Sequence, residues 1–183
     1  GVTSAGLITT PGLALLGRLK GFDLAVMISA SYNPAEDNGI KVFGPTAEKL
    51  PDETEDEIEA ELRAHPAPIS TGPAPPLDPA LESAYLAHLL AAADGLNLDG
   101  LSIVLDCANG GGSRVAPRIL GRLGAHVISL ASSPDGDNIN LGCGATHPEA
   151  LAEAVLAHGA DVGFALDGDA DRCVAVDGRG NLV

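Results

Sequence analysis

Three carboxylates spaced two apart, Asp167, Asp169 and Asp171, follow the apolar run Val162-Gly163-Phe164-Ala165-Leu166. Packed into one loop without a cation they would repel, and an all-oxygen donor set of this kind selects a hard ion, Mg²⁺ first. A solvated acidic turn is the plain alternative. An EF-hand is not one, because its sixth position should be Gly and is Arg172, and its twelfth should be Glu and is Gly178. A second candidate is Ser31, in Ser29-Ala30-Ser31-Tyr32-Asn33-Pro34 at the end of the run Leu24-Ala25-Val26-Met27-Ile28. A strand there would deliver a hydroxyl to its end, and Asn33-Pro34 would stop it. Such a serine is a nucleophile, or a turn residue making local hydrogen bonds. In phosphotransfer designs that use the first Asp of a D-x-D pair, Asp167 competes for the nucleophile's role. Lys41 leaves the Asn38-Gly39 turn near Ser31 with a movable ammonium, suited to proton transfer or charge stabilisation. Arg172 offers a planar fork suited to phosphate oxygens. Either cation serves equally well as a charge partner of the acidic loop.

Positioning these groups calls for alternating strands and helices. Leu7-Ile8 reads as a short strand, and Thr10-Pro11 as the cap and first turn of a helix to about Leu19 that ends near Gly21. Leu24 to Ile28 is the next strand. After the Asn38-Gly39 turn, Ile40 to Phe43 alternates as a strand with Lys41 on the face of Phe43. Glu48 to Glu61 carries eight acids with only Ile58 and Leu62 as an apolar stripe, a solvated helix face with no assigned function. His65 to Pro79 holds six prolines and reads as a semi-rigid linker.

Beyond the linker come a helix from Ala80 to about Ala93, a buried strand Leu101 to Leu105, a helix from Ser113 to Leu123 and a strand His126 to Leu130. A helix Pro148 to His158, opened by Thr146 or His147, precedes the strand Val162 to Leu166. Asn109-Gly110-Gly111-Gly112 matches neither common phosphate-loop pattern and reads as a tight strand-to-helix turn. The polar stretch from Asp135 to Glu149 reads as a loop. The five histidines stand apart from one another and carry no assignment.

Composition agrees with α/β layers: 45% of the 183 residues are hydrophobic but only 3% aromatic, so the core is built of Ala, Val, Leu and Ile. Twenty-five acids against ten Lys and Arg give a net charge of −15, which argues against nucleic-acid and anionic-membrane partners. No stretch has the roughly 20 apolar residues of a membrane span, and the first residues lack a secretory pattern. Three widely spaced cysteines, Cys107, Cys143 and Cys173, read as reduced thiols, which points to the cytoplasm. A chain that opens on Gly1 and stops at Asn181-Leu182-Val183 after a turn reads as a piece of a longer protein.

Taken together, these residues resemble the α-D-phosphohexomutase superfamily. Ser29 to Pro34 is similar to its T/S-A-S-H-N-P phosphoserine loop, Asn38-Gly39-Ile40-Lys41 to the N-G-I/F-K that follows, and Asp167 to Arg172 to its D-G-D-x-D-R metal loop. Asp106 to Gly112 resembles the D-x-A-N-G-x-G turn between them. Asn138-Ile139-Asn140 with Cys143 to Glu149 resembles N-I-N-x-x-C-G-S-T-H-P-E, the signature of the phosphoglucosamine mutase branch, preferred here over the phosphomannomutase and phosphoglucomutase branches.

The resemblance implies two consecutive α/β sandwich domains with mixed sheets, the first incomplete. Residues 1–66 would be the later part of domain 1, 67–79 the linker and 80–183 domain 2. It also implies a phosphorylated Ser31 and Mg²⁺ held by Ser31, Asp167, Asp169 and Asp171. Lys41 and Arg172 would be catalytic, the substrate a phosphosugar, and a homodimer a compatible assembly. Net chemistry would exchange glucosamine 6-phosphate and glucosamine 1-phosphate through a bisphosphate. The family's third and fourth domains would lie outside the chain, so this piece alone is expected to be inactive, and a non-catalytic metal- or phosphate-binding module is the rival reading. Tyr32 departs from the family pattern, standing where it has His.

Overall fold

A computed structural model describes residues 1–66 and 72–183. The part of the expected linker at 67–71 lies outside the described residues. Its last described residues are paired with the start of the chain: Ser4 N–H donates to Pro76 O at 2.8 Å and Asp78 N–H to Ser4 O at 2.9 Å.

The first half builds helix α1 (Thr10–Lys20), strands β1 (Ala25–Ser29) and β2 (Gly39–Phe43), and helix α2 (Asp52–Ala64). Thr9, rather than Thr10, caps α1, accepting from Gly12 N–H at 3.0 Å, and Gly21 ends it in the left-handed region at φ 69°. The expected strand at Leu7-Ile8 is absent. Ile8 and Thr9 instead lie so close to Gly111 that a Cβ there would come 2.3 Å from Ile8 O, and Thr10 N–H donates to Asp169 O at 2.9 Å. That backbone is spent on docking to the other half instead of on a ladder.

β1 and β2 pair antiparallel with Met27 opposite Lys41 and Ser29 opposite Gly39, so Ser29 and Lys41 are neighbours on one ribbon. Phe43, Met27, Ala25 and Ala14 form the small core between this ribbon and α1. As its composition implied, α2 buries no residue.

The second half contains α3 (Pro79–Ala92), β3 (Ser102–Asp106), α4 (Val115–Arg122), β4 (His126–Leu130), α5 (Pro148–His158), β5 (Val162–Leu166) and β6 (Cys173–Asp177). Their sheet has the order β4-β3-β5-β6, parallel except for β6. Val155 and Leu151 of α5 pack on Gly163 of β5, where a Cβ would come 2.6 Å from Val155 Cγ2; glycine lets the helix approach that closely. The parallel register sets Asp106 against Ala165, so the Asp106 and Asp167 turns leave the same edge of the sheet, the carboxyl end where α/β sheets bind ligands. Leu166 pairs with Cys173, which makes residues 167–172 a hairpin loop pinned at both ends.

A core of Ile8 and Leu16 from the first half with Leu81, Tyr85, Leu86 and Val115 from the second joins the two. Tyr85 lies on α1 at Gly12, and its hydroxyl is 2.9 Å from Thr9 Oγ1. Burial of one such side chain, Leu16 at 1% exposure, is worth roughly 1.5–3 kcal/mol, enough to hold the halves in register.

Candidate active site

Ser31 sits two residues beyond β1 with a left-handed backbone, φ 54°. For a residue with a Cβ this conformation costs about 1–3 kcal/mol and persists only where its surroundings over-determine it. They do. Ser31 N–H donates to Ser29 Oγ at 3.0 Å, and Ser31 O accepts from Gly168 N–H at 3.0 Å and from Asn140 Nδ2 at 2.7 Å. Each such bond contributes about 0.5–1.5 kcal/mol net, so together they offset the strain. Asn33 N–H to Ala30 O at 2.9 Å closes the turn ahead of Pro34. Two of the three bonds to Ser31 come from the second half of the chain.

The acidic loop arrives from the opposite side. Asp167 is buried, and its Oδ1 accepts from Asp171 N–H and Arg172 N–H, both at 3.2 Å, while Oδ2 lies 3.5 Å from Ser31 Oγ. Asp169 is wholly buried; its Oδ2 accepts from Thr10 Oγ1 at 2.5 Å and Lys41 Nζ at 2.6 Å, and its Oδ1 has no hydrogen-bond partner among the described residues. Asp171 stands at the rim, 3.4 Å from Lys41 Nζ. One oxygen from each carboxylate lies within 4.8 Å of the other two.

Burial pushes the Asp167 carboxyl up, and the charges of Asp169 and Asp171 push the same way, outweighing the backbone N–H of Arg172. Burial would raise Asp169 as well, but hydrogen bonds from Lys41 and Thr10 hold it below the ordinary carboxylate range. Burial would lower the Lys41 ammonium, yet Asp169 and Asp171 more than compensate and raise it. The site therefore pairs an Asp167 carboxyl raised by burial with an Asp169 carboxyl held low and a Lys41 ammonium held high.

A cation fits this donor set. Asp169 Oδ1 is a buried anionic oxygen with nothing to bond, a state that costs free energy unless something positive completes it. The nearby donors are oxygens, as a hard divalent ion requires. Lys41 supplies part of that positive charge itself.

All the residues singled out for chemistry in the sequence meet here: Ser31, Lys41, Asp167, Asp169, Asp171 and Arg172. Lys41 and Arg172 are both charge partners of the acidic loop, Arg172 Nε lying 3.6 Å from Asp171 Oδ1 and 4.0 Å from Asp167 Oδ2. The guanidinium also covers the Tyr32 ring at 4.3 Å, so the residue that departs from the family's His is the platform for Arg172. The glycine turn is a packing device, as its sequence indicated. A Cβ on Gly110 would come 2.0 Å from Gly168 O, so Gly110 lets the turn lie directly under the acidic loop, while Gly111 makes room for Ile8 and Thr9. The histidines contribute nothing to this cluster.

Sequence reasoning misses three participants. Thr10 reads only as a helix cap, although Thr9-Thr10 offers two hydroxyls where a cap needs one. Gly168 lies in the acidic loop as a spacer between carboxylates, yet a Cβ there would come 2.2 Å from Ser31 O. Asn140 lies in a polar stretch without a role of its own in the sequence.

Comparison with known proteins bears on the same two loops. Residues 1–67 match the family model for phosphoglucomutase/phosphomannomutase, alpha/beta/alpha domain I, and residues 83–180 match that for domain II. Over the whole chain it is 52% identical to the phosphoglucosamine mutase of Symbiobacterium thermophilum and 53% to that of Granulibacter bethesdensis. Over 97% of the chain it is 52% identical to that of Mycolicibacterium paratuberculosis. It spans about two fifths of these relatives, 41%, 41% and 40% of their lengths. Among solved structures, a putative phosphomannomutase from Thermus thermophilus matches 96% of this chain and 41% of its own at 26% identity and a TM-score of 0.79. A phosphoglucomutase/phosphomannomutase family protein from Burkholderia thailandensis shares the fold at 24% identity and a TM-score of 0.77, over all of this chain and 41% of its own. Ser31 and Lys41 fall within the first matched domain and the acid triad within the second, which alone takes in more than half of the residues, so the chain belongs to the phosphoglucomutase/phosphomannomutase family.

Proposed function

We propose that this chain is the part of a cytoplasmic phosphoglucosamine mutase that carries the phosphoserine and the metal. It would interconvert glucosamine 6-phosphate and glucosamine 1-phosphate within a longer polypeptide. In this reading residues 1–66 are the later part of the first domain, 67–79 the linker and 80–183 the second domain. One observation carries it: the Ser31 hydroxyl of one half lies 3.5 Å from Asp167 of the other, beside the unpartnered Asp169 oxygen. The relatives named above support the choice of amino sugar. Among the described residues no helix is long and apolar enough to cross a membrane.

Ser31 would carry a phosphoryl group on Oγ. As a hydroxyl of the sugar monophosphate attacks, its bond to phosphorus forms while the P–Oγ bond breaks, and the hydroxyl proton ends on Ser31 Oγ. Return of the other phosphate from the bisphosphate reverses both changes and regenerates the phosphoserine. Asp167, Asp169 and Asp171 would hold Mg²⁺ together with a phosphoryl oxygen on Ser31, and the ion would supply charge withdrawal from that group. Lys41, fixed as an ammonium, neutralises charge or donates a proton and is not placed to take one up. Arg172, steadied on Tyr32, presents its fork to phosphate oxygens. The two backbone N–H bonds on Asp167 Oδ1 favour a ligand's role over a nucleophile's.

The test is turnover in the polypeptide that carries this chain, with a catalytic amount of sugar bisphosphate and each of glucosamine, mannose and glucose 6-phosphate. The reading expects a clear preference for glucosamine 6-phosphate. Preference for mannose or glucose would move the protein to another branch of the family, and no turnover of any of them would refute a mutase.

A further inference from the structure

Asn140 lies more than a hundred residues from Ser31 in sequence and touches it in space. Its own backbone is left-handed, φ 57°, in the polar stretch after β4. It is buried at 7% exposure, and its N–H donates to Ala108 O of the glycine turn at 2.9 Å. Both protons of its side-chain amide are spent on the serine loop, Nδ2 donating to Ser31 O at 2.7 Å and to Asn33 O at 2.8 Å. These two carbonyls flank Tyr32. An NH₂ group bridging them fixes the turn on both sides, whereas the Gly168 N–H grips Ser31 O alone.

Only a planar amide can do this here. A carboxylate would set anionic oxygens against two carbonyl oxygens, and an aliphatic side chain would leave Asn33 O without its second-half donor and Ser31 O with that of Gly168 alone. The support continues outward. Asn109 Nδ2 donates to Asn138 O at 3.3 Å, Ser133 N–H to Asn109 Oδ1 at 3.1 Å, and Asn138 Oδ1 accepts from Asp135 N–H at 3.1 Å. These bonds tie together the polar stretch that carries Asn140.

We infer that Asn140 is a positioning residue for phosphoryl transfer: its amide clamps the carbonyls of Ser31 and Asn33 and thereby holds the Ser31 hydroxyl against the acidic loop. The inference rests on Ser31 being the phosphoryl carrier. Asn140 touches neither the acid triad nor the Ser31 hydroxyl, so its effect falls on orientation. Misplacement of a reacting atom by about an ångström lowers the rate by up to about 100-fold without a matching change in substrate binding.

The experiment uses Asn140→Asp, which keeps the shape and tolerates a left-handed backbone, and Asn140→Gly, which tolerates it and removes the amide. In the polypeptide that carries this chain, phosphoryl incorporation from glucose 1,6-bisphosphate is followed by intact mass as a function of bisphosphate concentration. Both variants are expected to lower the maximal rate by about 10- to 100-fold, with the half-saturating bisphosphate concentration and the Mg²⁺ midpoint unchanged. A wild-type maximal rate in both, or a loss confined to half-saturation, overturns the clamp. Should both variants fail to fold, NMR of the unaltered protein decides. Scalar coupling from the Asn140 side-chain nitrogen to the carbonyl carbons of Ser31 and Asn33 supports the clamp, and its absence overturns it. Ser31→Ala run alongside separates the two claims, because incorporation that survives it refutes the carrier and leaves the coupling measurement standing.

Discussion

Replacing Lys41 with methionine keeps most of the stem and deletes the ammonium that bridges Asp169 and Asp171. At an effective dielectric of about 20, two ionised carboxylates at the 4.8 Å outer limit of the triad's spacing repel by roughly 3.5 kcal/mol, and an ammonium 2.6 Å from one of them attracts it by roughly 6 kcal/mol. The single cation therefore offsets much of the triad's self-repulsion. Lys41 and Asp171 are 30% and 34% exposed, so solvent screens part of this. A net loss of about 2–3 kcal/mol remains, because the wholly buried Asp169 keeps its charge and loses its partner. For a domain of this size that lowers Tm in EDTA by about 4–12 °C. Millimolar Mg²⁺ should then restore the variant more than it stabilises the wild type, in which the ion competes with the ammonium for Asp169; a ligand at 100 times its Kd contributes about 2.7 kcal/mol. Differential scanning calorimetry of both proteins, with and without Mg²⁺, reads this directly. Equal melting in EDTA, or an equal gain from Mg²⁺, would refute the reasoning.

Gly168→Ala would set a Cβ 2.2 Å from Ser31 O, so the two loops must part; a loss of about 1–3 kcal/mol in urea unfolding is expected. Thr10→Val keeps the shape but removes the donor 2.5 Å from Asp169. Asp169 has a depressed carboxyl, which contributes stability above its unfolded value and loses it as pH falls through the folded one. The valine variant depresses it less, so neutral-pH stability falls by about 1.5–3 kcal/mol, seen in urea unfolding at pH 7. With iodoacetamide at pH 8 a single adduct, on the exposed Cys173, is expected by peptide mass. Burial raises all three thiols, Cys107 to about 12 and Cys143 to about 11, and Cys173 alone is exposed to the reagent.

The elements legible from sequence were those with a local cause. β4, α5 and β5 appear at the residues their apolar runs and Pro148 mark out. β1 and β2 appear within a residue of the expected bounds, but the Asn38-Gly39 turn does not form: Asn38 is extended, Gly39 already pairs with Ser29, and the helical turn of the connection lies at Ala35–Asp37. β6 carried no assignment: Cys173 to Asp177 is five residues, and its antiparallel place at the sheet edge follows from a hairpin that the acidic loop hid. Leu7-Ile8 resembled a strand because apolar dipeptides do; the carbonyl of Ile8 instead packs against Gly111, a long-range contact with no local trace. The chemical residues of the site were legible because carboxylates at spacing two and a serine at a strand end have few other uses together. Their supports were not. Thr10, Asn140 and Gly168 act across the junction of the two halves, and residue type alone does not announce such a partner.

The central claim is that the Ser31 hydroxyl and the acid triad form one phosphoryl site across the two halves. Intact mass of the polypeptide that carries this chain, after incubation with glucosamine 1,6-bisphosphate and Mg²⁺, tests it most directly. The account predicts a gain of one phosphoryl group, mapped to Ser31, that fails in Ser31→Ala and requires far more Mg²⁺ in Asp169→Asn. A phosphoryl group found on Asp167, or incorporation indifferent to both substitutions, would contradict it.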